Sequence, residues 1–155
     1  MITGYGSYGH NIELSYLPEY ISLIERGWII AMTHVRGGGE MGKNWYKQGK
    51  LFNKKNSFYD FIDCAEYLIS NKYTNSSILN AYSSSAGGLL LASVANLKPN
   101  LLNAMIIKVP FVDILNTILD KSLPLSEHEY EEWVMIQFYR LILNIEGKPR
   151  RSSSI

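Results

Sequence analysis

Ile78-Leu79-Asn80-Ala81-Tyr82-Ser83-Ser84-Ser85-Ala86-Gly87-Gly88-Leu89-Leu90-Leu91 decides how the rest of the chain is read. An apolar, strand-like run enters a cluster of small residues and leaves as a helical run, the pattern of a sharp strand-turn-helix elbow with Ser85 at its apex. Such an elbow lifts one hydroxyl clear of the backbone. It needs small neighbours two positions to either side so that strand and helix can approach closely. Ser83 and Gly87 meet that demand, although Ser83 stands where the G-x-S-x-G pattern has glycine and brings a Cβ with it. Taken alone, the stretch also fits a Ser-rich turn followed by an ordinary helix start.

Outward from the elbow, strand and helix patterns alternate. Upstream, Trp28-Ile29-Ile30-Ala31-Met32-Thr33-His34-Val35 is a near-continuous apolar run between Gly27 and the glycines at 37–39, which predicts a strand buried on both faces. Downstream, Ala104-Met105-Ile106-Ile107-Lys108-Val109 is a third strand-like run, stopped by Pro110. Apolar residues at helical spacing predict helices over 14–26, ending at Arg26-Gly27, and over 58–69, with Ser57 as a candidate N-cap. Further helices are expected over 86–97 and 113–119. The alternation predicts an α/β fold in which the strands near 28–35, 78–82 and 104–109 run parallel. Residues 1–10 carry three glycines and read as a loop with no strand before it, and 43–56 as irregular polar surface. The run Arg36-Gly37-Gly38-Gly39-Glu40-Met41-Gly42 lacks both the Walker lysine and the G-x-G-x-x-G order. It reads as a structured loop holding Arg36 and Glu40 rather than a phosphate cradle.

Bulk composition narrows the function classes. The chain has 155 residues, 46% of them hydrophobic, enough for one domain with a real core. Fifteen basic and fourteen acidic side chains leave a net charge of +1, so no global field points to nucleic acid or to an anionic membrane. The single cysteine, Cys64, lies in an amphipathic pattern, cannot form an internal disulfide and fits a reducing, cytoplasmic setting as a small buried hydrophobe. No apolar run approaches the ~18 residues of a membrane span, and there is no export signal pattern.

Five ordered motifs resemble the catalytic domain of the prolyl oligopeptidase family of serine peptidases, in particular its oligopeptidase B branch. They are Tyr5-Gly6-Ser7-Tyr8-Gly9; His34-Val35-Arg36-Gly37-Gly38-Gly39-Glu40 with Trp45-Tyr46 and Gly49-Lys50; Ser85-Ala86-Gly87-Gly88; Val109-Pro110-Phe111-Val112-Asp113; and Glu129-Tyr130-Glu131-Glu132-Trp133. The resemblance covers roughly residues 3–133. It implies an α/β-hydrolase fold in three layers with a mostly parallel sheet, here truncated at both ends. Residues 1–133 are then a partial peptidase domain and 134–155 a divergent, partly disordered tail.

The resemblance also implies roles. Ser85 corresponds to the nucleophile, the Ala86 N–H to one donor of the oxyanion hole and the Tyr5 hydroxyl to the other, a duty a phenol performs while protonated at neutral pH. Glu129 and Glu131 correspond to the carboxylates that bind the basic side chain before the scissile bond, which would select Arg or Lys. No cofactor or metal is implied. Family members place the triad aspartate and histidine after the elbow and carry an N-terminal β-propeller. The three histidines here are His10, His34 and His128, and none stands in the context of the catalytic one. The expectation is therefore a serine oligopeptidase fragment for short basic peptides, inert alone because the triad Asp and His are absent; the reading from another class is a separately encoded piece completed by a complementary chain bringing Asp, His and propeller. No nucleic-acid or membrane partner is expected. A small-molecule esterase is the alternative that the elbow by itself would allow.

Overall fold

The computed structural model describes residues 1–120, 122–123 and 132–133. Within these residues four strands form one sheet: β1 Ile2–Gly4, β2 Ala31–Thr33, β3 Asn80–Ser84 and β4 Ala104–Lys108, in the order β2-β1-β3-β4. Every pairing is parallel, so the C-terminal ends of all four strands fall along one edge. The connections run through α1 Pro18–Ile24, then α2 Lys43–Lys47 with a 3-10 turn at Leu51–Asn53 and α3 Lys55–Ser70, then α4 Gly87–Leu97; α5 Ile114–Leu119 follows β4. This is the α/β architecture that the alternation of patterns predicts.

The core lies between the sheet and the α3/α4 layer. Along β3, Ala81 and Ser83 are buried while Asn80, Tyr82 and Ser84 are half-buried, the period-2 signature of a strand with one face packed more tightly. α3 brings Phe58, Phe61, Ile62 and Ala65 to that face on one helical stripe. α4 is apolar on nearly every side and buries Leu89, Leu90, Leu91 and Val94. Phe58 and Phe61 are fully enclosed, each contributing about 1.5–3 kcal/mol from burial. Over the opposite face lies α1, where Tyr20, Met32 and Tyr82 line a shared cleft.

Several expectations are corrected. Residues 1–10 do not begin as a loop: Ile2–Gly4 is a central strand, hydrogen-bonded on both sides, with Ile2 fully buried. Three residues are too few to show a period. The strand expected over 28–35 is confined to Ala31–Thr33, and it is not buried on both faces, since Trp28 and Ile29 are 37% and 56% exposed. Among the described residues β2 pairs with β1 alone, and Ala31 and Met32 are half-buried while Thr33 is buried. The helix over 14–26 shortens to Pro18–Ile24, starting at a proline whose missing N–H costs a first turn nothing; Leu14 and Tyr16 stay exposed.

Nor is 43–56 irregular surface. It holds α2, the 3-10 turn and the start of α3, and Lys54 within it is only 3% exposed. Ser57 lies inside α3 rather than at its cap, and its hydroxyl donates to the Arg36 carbonyl at 2.5 Å. The cap of α5 does match its sequence, because the Asp113 side chain accepts from the Asn116 N–H. Cys64 is free and half-buried. The tail from 134 onward lies outside the described residues. Among those that are described, no helix is long and apolar enough to cross a membrane.

Candidate active site

β3 ends at Ser84 and α4 begins at Gly87, so the chain must reverse within two residues. Ser85 takes the strain, with φ +51°, a left-handed conformation that non-glycine residues rarely adopt. Three backbone bonds hold it there. The Ser85 N–H donates to the Lys108 carbonyl at 3.1 Å, and its own carbonyl accepts from Gly88 N–H at 2.8 Å and from Phe111 N–H at 2.9 Å. The Ser85 side chain is left exposed at the apex.

The small residues are required sterically. A Cβ on Gly87 would stand 1.9 Å from Ser83 Oγ, and one on Gly88 would stand 2.8 Å from Pro110 Cβ. Ser83 is tolerated where the pattern has glycine because its hydroxyl turns sideways and donates to the Gly4 carbonyl of β1 at 2.6 Å. The serine thus tightens the elbow against the neighbouring strand. Ala86 is 1% exposed, and its N–H has no acceptor among the described residues. A buried, unpaired backbone donor is costly, which makes such a group a natural ligand contact.

Tyr5 follows β1 directly, as Ser85 follows β3, and the two strands are parallel neighbours. Both residues therefore sit at the same edge of the sheet. The Tyr5 ring is half-buried and packs edge-on against His10 at 5.2 Å and tilted against Tyr8 at 6.3 Å. A cleft of about 360 Å³ is lined by Tyr5, His10, Tyr82 and Ser84, among others.

Of the three histidines, His10 lies against Tyr5 and His34 is half-buried, its buried Nε2 without a hydrogen-bond partner among the described residues. Among the described residues, no histidine hydrogen-bonds Ser85. Glu129, Glu131 and His128 lie outside the described residues. The Gly37-Gly38-Gly39 loop is used for packing rather than for an anion. A Cβ on Gly37, at φ +96°, would stand 2.1 Å from the Gly6 carbonyl, and one on Gly49 would meet the Gly37 nitrogen at 2.0 Å. Arg36 is held by Asp60 through Nε and a terminal nitrogen, Nη2 to Oδ1 at 2.6 Å, and the Glu40 carboxylate accepts from Ile12 N–H at 2.9 Å. Hydrogen bonding to Asp60 raises the Arg36 pKa further. No group of three or more candidate metal ligands occurs among the described residues.

Sequence reasoning missed one cluster behind the Tyr5 turn. The Lys54 ammonium donates to the Gly6 carbonyl and to Ser7 Oγ, both at 2.6 Å, and faces Glu132 Oε1 at 3.5 Å. Glu132 is 2% exposed and also accepts from the Tyr46 hydroxyl at 2.8 Å. Burial pulls the Lys54 pKa down to about 8, against the opposing pull of Glu132. One signal is available in the sequence: Lys54 stands one turn before the apolar stripe of Phe58, Phe61, Ile62 and Ala65, on the same helical face.

A strained, exposed serine between a parallel strand and a buried helix, beside a strand followed directly by a tyrosine, is the elbow architecture of α/β-hydrolase domains. The model of the prolyl oligopeptidase family matches residues 15–144. The chain belongs to that family. It is 44% identical over 129 residues to dipeptidyl aminopeptidase BI of Pseudoxanthomonas mexicana, covering 83% of this chain and 18% of that one. With protease 2 of Moraxella lacunata it shares 44% over 133 residues, 86% of this chain and 19% of the relative. Among solved structures, oligopeptidase B from Leishmania major superposes with a TM-score of 0.84 at 40% identity, over 90% of this chain and 20% of that one. Oligopeptidase B from Trypanosoma brucei with covalently bound antipain gives 0.81 at 47%, over 85% and 19%. The chain thus spans about a fifth of the length of these relatives.

Proposed function

We propose that this chain carries the nucleophile half of a serine peptidase site that cleaves short peptides after Arg or Lys. Ser85 Oγ attacks the scissile carbonyl carbon, and its proton passes to a base that later protonates the leaving amine. The carbonyl oxygen becomes an oxyanion held by the Ala86 N–H and the Tyr5 hydroxyl. Glu129 and Glu131 bind the basic side chain before the scissile bond. The observation that carries the reading is the pairing of an exposed, left-handed Ser85 with a buried Ala86 N–H that lacks an acceptor among the described residues.

No described histidine bonds Ser85, which supports a base and aspartate supplied from outside the described residues; in this reading a complementary chain brings them. Without them Ser85 is an ordinary alcohol, so these 155 residues alone are inert. The setting is cytoplasmic. The test is hydrolysis of fluorogenic arginyl and glutamyl peptide amides, with Ser85→Ala as control. The chain alone should show no turnover above that control. Adding a polypeptide that carries the rest of a relative's catalytic domain and propeller should give turnover that prefers arginine and vanishes in Ser85→Ala. Ser85-dependent turnover by the isolated chain would refute the inertness, and equal turnover of the two substrates would refute the specificity.

A further inference from the structure

Lys54 is a cation buried behind the Tyr5 turn, and the chemistry proposed above gives it no task. Its three donors are all directed. Two go to consecutive residues of the turn, the Gly6 carbonyl and Ser7 Oγ, both at 2.6 Å, and the third faces Glu132 Oε1 at 3.5 Å. The ammonium also sits 4.5 Å above the Trp133 ring. Trp133 returns to the same turn by donating its indole N–H to the Tyr8 hydroxyl at 3.0 Å, with the two rings edge to face at 5.8 Å. It also packs against Phe111, 6.0 Å away, whose N–H is bonded to the Ser85 carbonyl.

A lysine placed only for bulk would not bring a buried carboxylate with it, since stranding either charge is expensive. We infer that Lys54 is a positioning residue: its ammonium fastens the turn carrying Tyr5 to the Glu132–Trp133 segment, so that the two move as one unit. The inference rests on the proposed roles of Tyr5, Glu129 and Glu131. With those roles, one buried cation sets the oxyanion tyrosine in register with the segment that recognises the substrate's basic side chain. Glu132 is its counter-charge, and Trp133 carries the register across to Phe111 and the Ser85 elbow.

Amide hydrogen exchange on the full chain tests this without any need for activity. In the wild type, protected amides of residues 5–9 and of 132–133 should share one opening equilibrium, apart from that of the β3 amides. Openings that differ by more than tenfold between the two segments would overturn the inference. In the charge-balanced variant Lys54→Met/Glu132→Leu, protection over 5–9 should fall at least tenfold while β3 protection holds. Unchanged protection over 5–9 would overturn it as well. Lys54→Arg, which keeps the charge but misplaces the donors, should fall between. If exchange couples the two segments while the complemented chain cleaves nothing, the fastening stands and the peptidase reading fails. Cleavage with uncoupled segments keeps the peptidase reading and removes the fastening.

Discussion

The Ser85 elbow and the Lys54 cluster flank the same sheet edge and hold it in opposite ways. At the elbow, the turn itself is set by sterics among residues within five positions of one another, with longer-range bonds to Lys108 and Phe111 holding it in place: Gly87 makes room for Ser83, and Ser85 absorbs the turn at φ +51°. Around Lys54, residues 47, 48 and 78 positions apart converge through charge and hydrogen bonds. Excluded volume is a property of near neighbours and can be read from adjacent letters. A buried ion pair is a property of the finished fold. The elbow should therefore respond to added atoms and the cluster to unbalanced charge.

The largest expected effect comes from breaking the buried pair on one side. Glu132→Leu leaves the Lys54 ammonium buried without its counter-charge and removes the acceptor of the Tyr46 hydroxyl. Stability by denaturant unfolding should fall by about 3–5 kcal/mol. Lys54→Met should cost a similar amount, because it strands Glu132 and two acceptors of the Tyr5 turn. The double variant should recover much of either loss. Additive losses would mean that the two side chains do not interact, and would remove the contrast with the elbow.

A second prediction concerns pH. The Lys54 ammonium ordinarily titrates near 10.5 and is held at about 8 here, so between those values the unfolded chain binds more protons than the folded one. Stability supplied through this group therefore rises with pH across about 8 to 10.5, by at most about 3.5 kcal/mol, at ~1.4 kcal/mol per pH unit. Glu132 is the charged group that faces it, with the Tyr46 hydroxyl beside that carboxylate. Burial pushes the Cys64 and Tyr20 pKa values up, which gives the opposite slope at high pH. The quantity to measure is thus the wild type minus the Lys54→Met/Glu132→Leu variant. A flat difference would show that Lys54 keeps an ordinary pKa.

How much was legible follows the same division. The elbow, its helix and β4 are readable because small residues and apolar runs act over short distances. The strand that carries Tyr5 escaped because Ile2–Gly4 is three residues long and its evidence is two neighbouring strands far away in sequence. The 28–35 run reads as doubly buried because its apolar letters match a central strand, but what covers each face depends on layers packed from far away in sequence, and Trp28 and Ile29 stay exposed. Lys54 was hidden in a polar run, and Glu132, although visible in an acidic cluster, had no reason to be singled out until its partner was placed beside it. Ser57 fitted a helix cap by type, but a serine hydroxyl also satisfies loop carbonyls, and here Arg36 claims it.

The elbow's own test is Gly87→Ala. The new Cβ would meet Ser83 Oγ, which would have to leave the Gly4 carbonyl, so the cost combines overpacking with a lost hydrogen bond, about 1–3 kcal/mol. Ser83→Gly in the same chain removes the obstructing hydroxyl and should make Gly87→Ala markedly milder, a non-additivity expected of touching residues. Thermal melts of the four chains in this cycle measure it. If Gly87→Ala costs the same with and without the Ser83 side chain, the close approach of strand and helix does not depend on this contact.

The smallest expected effect serves as the control. Lys98 and Glu66 form an ion pair at 2.8 Å between α4 and α3, shorter than the 3.5 Å between Lys54 and Glu132. If distance set the strength, this pair would be the stronger. Its side chains are 53% and 48% exposed, however, so water and salt screen the attraction, and the entropy lost in fixing two long side chains offsets what remains. Glu66→Gln should leave the melting midpoint unchanged at physiological salt, while Glu132→Leu lowers it by many degrees. The Lys98 pKa is raised by its bond to Glu66, and that shift should be visible in its side-chain NMR titration even though stability does not move. A melting shift for Glu66→Gln as large as that for Glu132→Leu would show that burial is not what separates the two pairs.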